Sequence, residues 1–258
     1  MNAVDERELR DRQSESQRGF YRAVASGSHG ARLLELDGVQ ATIVPVREWF
    51  SIFNSVLFRE PAELECAHPT LAAEYEAAGV KAWTVWVPPD DRRAVSILES
   101  RGHLLDSTPM LFAAHIDALD LEPRVELELD PGPTWEVVGR INDHAHGVLE
   151  PWSMTAVFET MDDPASRLHV ARQDGVPVAG LIAREHECDC YFWFVATVPE
   201  AQGSGVASEL MRRALRDARE RGCTTTSLES TKVAERMYAQ LGYQPLGRYE
   251  MWELRSSG

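Results

Sequence analysis

The chain has few cysteines, an excess of acidic over basic residues, and no apolar run long enough to cross a membrane. The four cysteines show no framework spacing, which favours a reducing cytoplasmic environment over a disulfide-linked secreted protein. Lysine and arginine number 26 against 41 aspartate and glutamate residues, and the net charge of −15 argues against nucleic acid or anionic membranes as partners. The N-terminal segment is too polar for a signal peptide. We therefore expect a cytoplasmic protein.

The length and composition favour a globular protein of one large domain or two smaller ones. Apolar residues make up 44% of the 258 positions, which is enough for a full core. The sequence PGP at residues 131–133 interrupts the segment 118–134 and makes it the best candidate for a domain boundary. We predict an N-terminal domain over residues 1–119 and a C-terminal domain over residues 120–258.

The two halves contain similar patterns in the same order. An apolar segment precedes a predicted helix at residues 50–56 and again at 192–198, and Gly79 and Gly222 follow the two helices. Such internal similarity predicts a tandem repeat. Apolar patterning further predicts a helix over residues 5–25 and single strands over residues 50–58, 104–115 and 247–254.

The most informative segment is QGSGVA at residues 202–207, between a predicted buried strand and a predicted amphipathic helix. Gly203 and Gly205 have no side chain and can adopt a positive φ, so that a phosphate can approach the backbone. The first N–H groups of a helix are unpaired and lie at the positive end of its dipole. Ser204 can cap the helix or donate to a phosphate oxygen. The segment therefore predicts a pyrophosphate site.

Two common nucleotide motifs fit this segment poorly. The dinucleotide pattern G-x-G-x-x-G lacks its third glycine here, and the P-loop pattern fails because no GK[ST] sequence follows. Instead the segment resembles motif A (Q/R-x-x-G-x-G/A) of the GCN5-related N-acetyltransferases (GNAT). Residues 230–243 resemble a second signature of that family, A-x-x-(L/M)-Y-x-x-x-G-(F/Y). This second match is carried by Ala234, Met237, Tyr238, Gly242 and Tyr243.

The resemblance implies a fold of the α/β (α+β) class, in which helices flank a mixed central sheet and two neighbouring parallel strands splay apart. The whole chain would then hold two tandem copies of that fold. In this family acetyl-CoA is the cosubstrate, and it binds where the strands separate, with its diphosphate at the glycine turn. The positions of this sequence that match the family's cofactor-binding positions are Val195, Ala196, Thr197, Gln202, Gly203, Ser204, Gly205, Val206, Ala207, Ser208 and Thr231.

The resemblance also places a general acid at Tyr238, beside the expected thioester sulfur. A tyrosine with a pKa of about 10 is protonated at neutral pH and can serve that role. The alternative is a core aromatic residue, because Met237 and Leu241 share its helix face. Glu229, at the end of a strand, is a candidate base, since some family members have a catalytic glutamate there. A surface role for Glu229, a base at Glu187 or Asp189, and a water chain without a single base stay open.

Three residues between the predicted helices of the C-terminal half are candidates for substrate contact. His146, Trp152 and Met154 lie in the region that lines the acceptor pocket in similar proteins. His144, His146 and Glu150 also suggest a metal site, but His-x-His spacing on a helix directs the two rings to different sides. No further ligand is evident in the sequence, and we predict no metal.

The N-terminal copy departs from the family where the chemistry requires particular residues. Residues 59–68 (REPAELECAH) contain no glycine, which argues against a phosphate-binding turn there. Leu98 occupies the position that matches Tyr238 and cannot donate a proton. We expect a degenerate copy that packs against the active half and closes one side of the substrate cleft.

Together these observations predict an acetyl-CoA-dependent N-acetyltransferase that transfers an acetyl group directly to a primary amine of a small molecule. Direct transfer is expected because neither motif segment contains a cysteine that could carry an acyl group. The alternatives are transfer of another acyl group, acetylation of a protein amine, and a non-catalytic protein that binds or senses CoA. The sequence does not identify the acceptor. We expect a monomer or a homodimer, and the sequence does not distinguish between them.

Overall fold

The computed structural model describes residues 3–148 and 153–256 of the chain. The helices are α1 (Ala3–Gly27), α2 (Pro61–Ala77), α3 (Arg92–Ser100), α4 (Trp135–His146), α5 (Thr155–Phe158), α6 (Val206–Glu220) and α7 (Glu235–Leu241). The strands are β1 (Arg32–Leu36), β2 (Val39–Ile43), β3 (Ser55–Phe58), β4 (Ala82–Val87), β5 (Leu104–Ser107), β6 (Met110–His115), β7 (Glu128–Leu129), β8 (Ser166–Gln173), β9 (Val176–His186), β10 (Asp189–Thr197), β11 (Thr225–Ser230), β12 (Gln244–Arg248) and β13 (Glu250–Arg255).

The strands form two mixed sheets that share one arrangement. The strand order is β5-β13-β4-β3-β2-β1 in the first sheet and β12-β6-β11-β10-β9-β8-β7 in the second. The pairs β3–β4 and β10–β11 are parallel, and the other neighbouring strands are antiparallel. A helix, α2 or α6, connects the two strands of each parallel pair. The predicted mixed sheets in tandem copies are confirmed.

The two sheets exchange one strand each. β6, from the N-terminal half, lies between β11 and β12 in the second sheet, whereas β13, from the C-terminal end, lies between β4 and β5 in the first. The predictions of single strands over residues 104–115 and 247–254 are therefore wrong. Each run divides into two strands because the chain crosses between the sheets, and the crossings meet where the Tyr249 N–H donates to the Pro109 carbonyl at 3.0 Å. The division at residues 119 and 120 stays a prediction, since both sheets contain strands from both halves.

Helix α1 lies between the two sheets and packs against β2 of the first and β10 of the second. On one side, the Gln40 side-chain amide donates to the Arg18 carbonyl at 3.0 Å. On the other, the Phe20 ring stacks on Trp193 with 4.1 Å between centroids. The Ser16 hydroxyl also donates to the buried carboxylate of Asp189 at 2.8 Å. The helix predicted over residues 5–25 is thus the central layer of the molecule.

The strand predicted over residues 50–58 is shorter than expected, because only Ser55–Phe58 pairs in the sheet. Asn54 explains the difference. Its side-chain oxygen accepts from the Val44 N–H at 2.7 Å, and its amide nitrogen donates to the carbonyls of Arg47 and Phe50 at 3.1 and 3.2 Å. These bonds hold residues 50–54 in turns instead of an extended ladder.

Candidate active site

A gap opens between β10 and β11 in the second sheet. The two strands pair in parallel only over residues 189–192 and 225–228. Beyond Phe192, β10 pairs with β9 alone, and a bulge between Trp193 and Ala196 interrupts that ladder. Phe194 in the bulge has a φ of 51°, which a non-glycine residue rarely adopts. The unpaired edges leave backbone groups near Val195 available to a ligand, as a splayed sheet requires.

The start of α6 forms an anion cradle beside this gap. Gly203 and Gly205 have φ angles of 77° and 83°, and α6 begins at Val206. Within the described part of the chain, the backbone N–H groups of residues 203–208 donate no hydrogen bond. They lie at the positive end of a fifteen-residue helix. The arrangement fits a diphosphate.

Two side chains of the turn are fixed by bonds to the backbone. The Ser204 hydroxyl donates to the Ala201 carbonyl at 2.6 Å, so it holds the turn and does not cap the helix. The Gln202 amide donates to the Thr197 carbonyl at 3.2 Å, which ties the turn to the end of β10. The space around Gly203 is open, since an added Cβ would meet no atom within 4 Å. The positive φ is therefore what requires glycine there.

The N-terminal copy fills the matching helix start with its own carboxylates. The Glu63 side chain accepts from the Glu60 N–H at 3.0 Å, and the Glu60 side chain caps the third residue of α2 in return. This capping box satisfies backbone donors that are free in α6. The start of α2 is therefore capped by its own side chains, whereas the start of α6 is open to a ligand.

A cavity of about 360 Å³ lies at the open ends of β10 and β11. It brings together several of the residues predicted from sequence, namely His146, Met154, Val195, Glu229, Thr231 and Tyr238. Ala196, Thr197 and the turn 202–208 lie outside this lining. Trp152 falls outside the described residues. The N-terminal half closes the cavity with Ser51, Ile52, Trp86, Asp106, Ser107 and Pro109.

Glu229 lies in the wall of this cavity and is held by two donors. The Tyr191 hydroxyl donates to Oε2 at 2.6 Å, and the Gln13 amide of α1 donates to Oε1. Burial raises the pKa of Glu229 to about 7, and the two hydrogen bonds partly oppose that rise. The carboxyl group therefore changes its charge near neutral pH, as a general base requires.

Tyr238, in the middle of α7, lines the same cavity. Its side chain is 4% exposed, and its ring lies 5.8 Å from that of Phe112 and 5.9 Å from that of Tyr243. Burial raises the pKa of Tyr238 above its ordinary value of about 10. Among the described residues its hydroxyl has no hydrogen-bond partner, although it lines the cavity. The hydroxyl is protonated at neutral pH and can donate there.

The rival bases lie at the wrong end of β10. Asp189 begins the strand, where its carboxylate accepts from the hydroxyls of Ser16, Thr225 and Ser227 at 2.7 to 2.9 Å. Glu187 lies in the preceding turn with a φ of 49°. Neither residue lines the cavity at the other end of the strand. Asp189 therefore joins α1 to the second sheet through its hydrogen bond with Ser16.

Several functional candidates were missed from the sequence. Tyr191 alternates with Asp189 and Trp193 on the face of β10 that contacts α1, and that alternation could have identified it. Gln13 gave no signal, because its contact with Glu229 joins positions that are 216 residues apart. Asn142 of α4 lines the cavity and donates to the Met154 sulfur at 3.3 Å.

Two kinds of feature are absent from residues 3–148 and 153–256. No group of three or more His, Cys, Asp or Glu side chains is placed there to hold a metal ion. No helix there combines the length and apolar character of a membrane span.

Comparisons with known proteins agree with this geometry. Residues 135–243 match the model of the acetyltransferase (GNAT) family. No curated protein sequence matches the chain. The fold is similar to that of a GCN5-related N-acetyltransferase from Kribbella flavida, with a TM-score of 0.70 and 19% identity over 96% of this chain and 95% of that one.

Two further solved structures extend the comparison. A tandem GNAT protein from the clavulanic acid biosynthesis pathway is similar over 96% of both chains, with a TM-score of 0.58 and 13% identity. A GCN5-related N-acetyltransferase from Sphaerobacter thermophilus is similar over 84% of this chain and 76% of that one, with a TM-score of 0.58 and 18% identity. Residues 135–243 thus match the acetyltransferase (GNAT) family model, and the whole chain has the fold of the tandem GNAT protein.

Proposed function

We propose that the protein is an acetyl-CoA-dependent N-acetyltransferase that acts on a primary amine of a small molecule. The observation that carries this proposal is the position of Glu229 and Tyr238 on one cavity at the open strand ends. The carboxyl group is tuned to neutral pH, and the phenol is protonated. The two groups therefore match the base and the acid of an acyl transfer to an amine.

The turn and the first residues of α6 would hold the diphosphate of acetyl-CoA. Their free N–H groups supply donors at the helix N-terminus, from Gly203 through Val206 and Ala207 to Ser208. The open edge of β10 at Val195, Ala196 and Thr197 would receive the amides of the pantetheine arm, and Thr231, which follows β11, lines the cavity with Val195. Bound there, acetyl-CoA supplies an activated acyl group and a thiolate leaving group.

The two titratable side chains move protons in opposite directions. Glu229 Oε1 or Oε2 takes a proton from the substrate ammonium group, because its pKa of about 7 leaves a substantial ionised fraction at neutral pH. The Tyr238 hydroxyl supplies a proton to the departing sulfur. Gln13 and Tyr191 orient the Glu229 carboxyl group without contacting the substrate.

The shape and charge of the cavity support a small amine as the acceptor. Its volume of about 360 Å³ accommodates a small molecule, and residues of the N-terminal half line part of it. Trp86, Trp193 and Phe194 supply aromatic surface. Asp106 also lines the cavity, which therefore contains a second carboxyl group besides that of Glu229. Two carboxyl groups favour a cationic substrate. We propose His146 and Met154 as further substrate contacts, in a cytoplasmic enzyme without a nucleic-acid partner.

A two-stage experiment tests this proposal. Calorimetric titration with acetyl-CoA comes first, and absence of binding would refute both an enzyme and a CoA sensor. A thiol-release assay then compares a panel of small primary amines with peptides that carry a free N-terminus or a lysine. We expect turnover with a small amine only. Turnover with peptides would indicate a protein acetyltransferase, and binding without any turnover would indicate a sensor. Longer acyl-CoA donors in the same assay test the acyl group.

A further inference from the structure

A second cavity lies where β3 and β4 diverge in the first sheet. These parallel strands pair only through Ser55 with Thr84 and Val56 with Val85, so their carboxyl ends separate. The cavity has a volume of about 380 Å³ and shares no lining residue with the candidate active site. It occupies the place in the first sheet that the candidate active site occupies in the second.

Arg18 lines this cavity without a close partner. Its side chain is 5% exposed, yet within the described residues its guanidinium group donates no hydrogen bond. The nearest carboxylate oxygen, on Glu15, is 4.0 Å from Nε, and the Glu15 side chain is 46% exposed. Burial lowers the pKa of Arg18, although the group stays charged. The Arg18 nitrogens keep contact with the open space of the cavity, so a ligand that enters there can accept their hydrogen bonds.

The rest of the cavity lining carries two further arginines, the carboxylates of Asp11 and Glu15, and an apolar part. Arg10 and Arg59 also line it, and Arg59 lies 3.8 Å from the same Glu15 oxygen that Arg18 approaches. Arg10 is hydrogen-bonded to Glu6 at 2.7 Å. Phe58 and Leu111 supply apolar walls. One oxygen of Glu15 therefore lies 3.8 and 4.0 Å from two guanidinium groups, and neither group makes a hydrogen bond to it.

We propose that this cavity binds a small molecule through its oxyanion, a carboxylate or a phosphate group, with Arg18 as the principal ligand. The planar guanidinium group matches both kinds of oxyanion with two parallel hydrogen bonds. Arg59, at the rim, adds a second positive charge. CoA does not fit this role, because the helix start that would hold its diphosphate is occupied by the Glu60 and Glu63 side chains.

The site is separate from the proposed acetyl transfer, and Tyr249 lies between the two. Its hydroxyl donates to the Gln13 side chain at 3.0 Å, and its ring lies 5.8 Å from Trp86 of the candidate active site. Arg18 itself contacts neither Glu229 nor the cavity that Glu229 lines. Binding at Arg18 can therefore be measured without any assumption about catalysis.

The test uses the full chain in Tris-chloride buffer at constant ionic strength, titrated calorimetrically with inorganic phosphate and, separately, with succinate. We expect saturable binding of at least one probe, and at least tenfold weaker binding in Arg18→Gln. Arg22→Gln is the matched control, because Arg22 lies one turn later on α1 and pairs with Glu35 at 3.4 Å. It should bind as the unmodified protein does. Binding of phosphate alone or of succinate alone identifies which oxyanion the site takes.

Phosphate can also bind the α6 cradle, so the site is assigned by the difference between Arg18→Gln and Arg22→Gln. Equal binding by these two variants, or no saturable binding of either probe, would overturn the proposal. Should Arg18→Gln not fold, Arg59→Gln decides, since that side chain is 66% exposed. We expect severalfold weaker binding in Arg59→Gln, and unchanged binding there would reject the site.

Discussion

The ionisation of Glu229 makes the proposed mechanism measurable across a narrow pH range. With a pKa of about 7, roughly a tenth of the carboxyl groups are ionised at pH 6 and roughly nine tenths at pH 8. The value of kcat/KM should therefore rise about tenfold between these pH values if Glu229 is the base. An exposed glutamate with an ordinary pKa would already be almost fully ionised at pH 6.

The assay is thiol release with saturating acetyl-CoA and an accepted amine, followed from pH 5.5 to pH 8.5. Glu229→Gln keeps the size of the side chain and one acceptor oxygen but cannot accept the substrate proton. We expect a loss of about 10²- to 10⁴-fold in kcat and disappearance of the rise with pH. A flat profile in the unmodified protein, or full turnover by Glu229→Gln, would refute the role of Glu229.

The free energy of unfolding gives a check that does not depend on activity. The folded state holds a proton on Glu229 up to a pKa of about 7, whereas the ordinary value is 4.5. The raised pKa means that this contribution to stability is complete below pH 4.5 and is lost as the pH rises through 7. The loss amounts to at most about 3 kcal/mol. Urea unfolding should show a smaller decline with pH in Glu229→Gln than in the unmodified protein.

Tyr191→Phe tests the orienting shell of Glu229 without removing the base. The Tyr191 hydroxyl lowers the pKa of Glu229 through its 2.6 Å hydrogen bond. Removing it should raise that pKa further, so the midpoint of the pH profile moves to higher pH while activity on the plateau is largely retained. An unchanged midpoint would show that this bond does not control the ionisation.

Three further predictions concern the acid, the cradle and the exchanged strands. Tyr238→Phe keeps the ring packed beside Phe112, so unfolding should be unchanged while kcat falls about 10²- to 10⁴-fold; full turnover would reject the acid. Gly205→Ala forces a side chain to a φ of 83°, which costs about 1–2 kcal/mol in unfolding and should raise the KM of acetyl-CoA but not that of the amine. Residues 120–258 alone lack β6 and should show no cooperative unfolding by circular dichroism until residues 1–119 are coexpressed; a stable isolated fragment would contradict that dependence.

Local sequence patterns were sufficient for the strand, turn and helix that form the cradle. The buried strand predicted before the glycine turn corresponds to β10 at Asp189–Thr197, and the glycines at 203 and 205 have the positive φ expected of them. Both features depend on residues close together in the chain. The strand exchange could not be predicted in this way, because which strand lies beside β11 depends on pairing with residues 110–115, more than a hundred positions away.

In the candidate site too, features that depend on neighbouring residues could be predicted, and features that depend on distant residues could not. Glu229 and Tyr238 lie within or beside the two motif segments, so their positions followed from sequence spacing. The pKa of Glu229 did not follow, because it depends on burial beneath α1 and on the amide of Gln13. The wall formed by Trp86 and Asp106 was foreseen only as a general role of the N-terminal half. Side chains from a distant part of the chain therefore determine what the motif residues can do.

The N-terminal copy lacks a cradle, yet the geometry of the C-terminal site depends on it. Without β6, the edges of β11 and β12 would lose their hydrogen-bonded neighbour, and unpaired edges promote aggregation. Without α1, Glu229 would lose Gln13, and Asp189 would lose the donor on Ser16. Each copy supplies one strand to the sheet of the other copy, β6 to the second sheet and β13 to the first. Loss of either copy would therefore remove strand pairing from the other. The environment that raises the pKa of Glu229 to about 7 therefore depends on the first half staying folded around it.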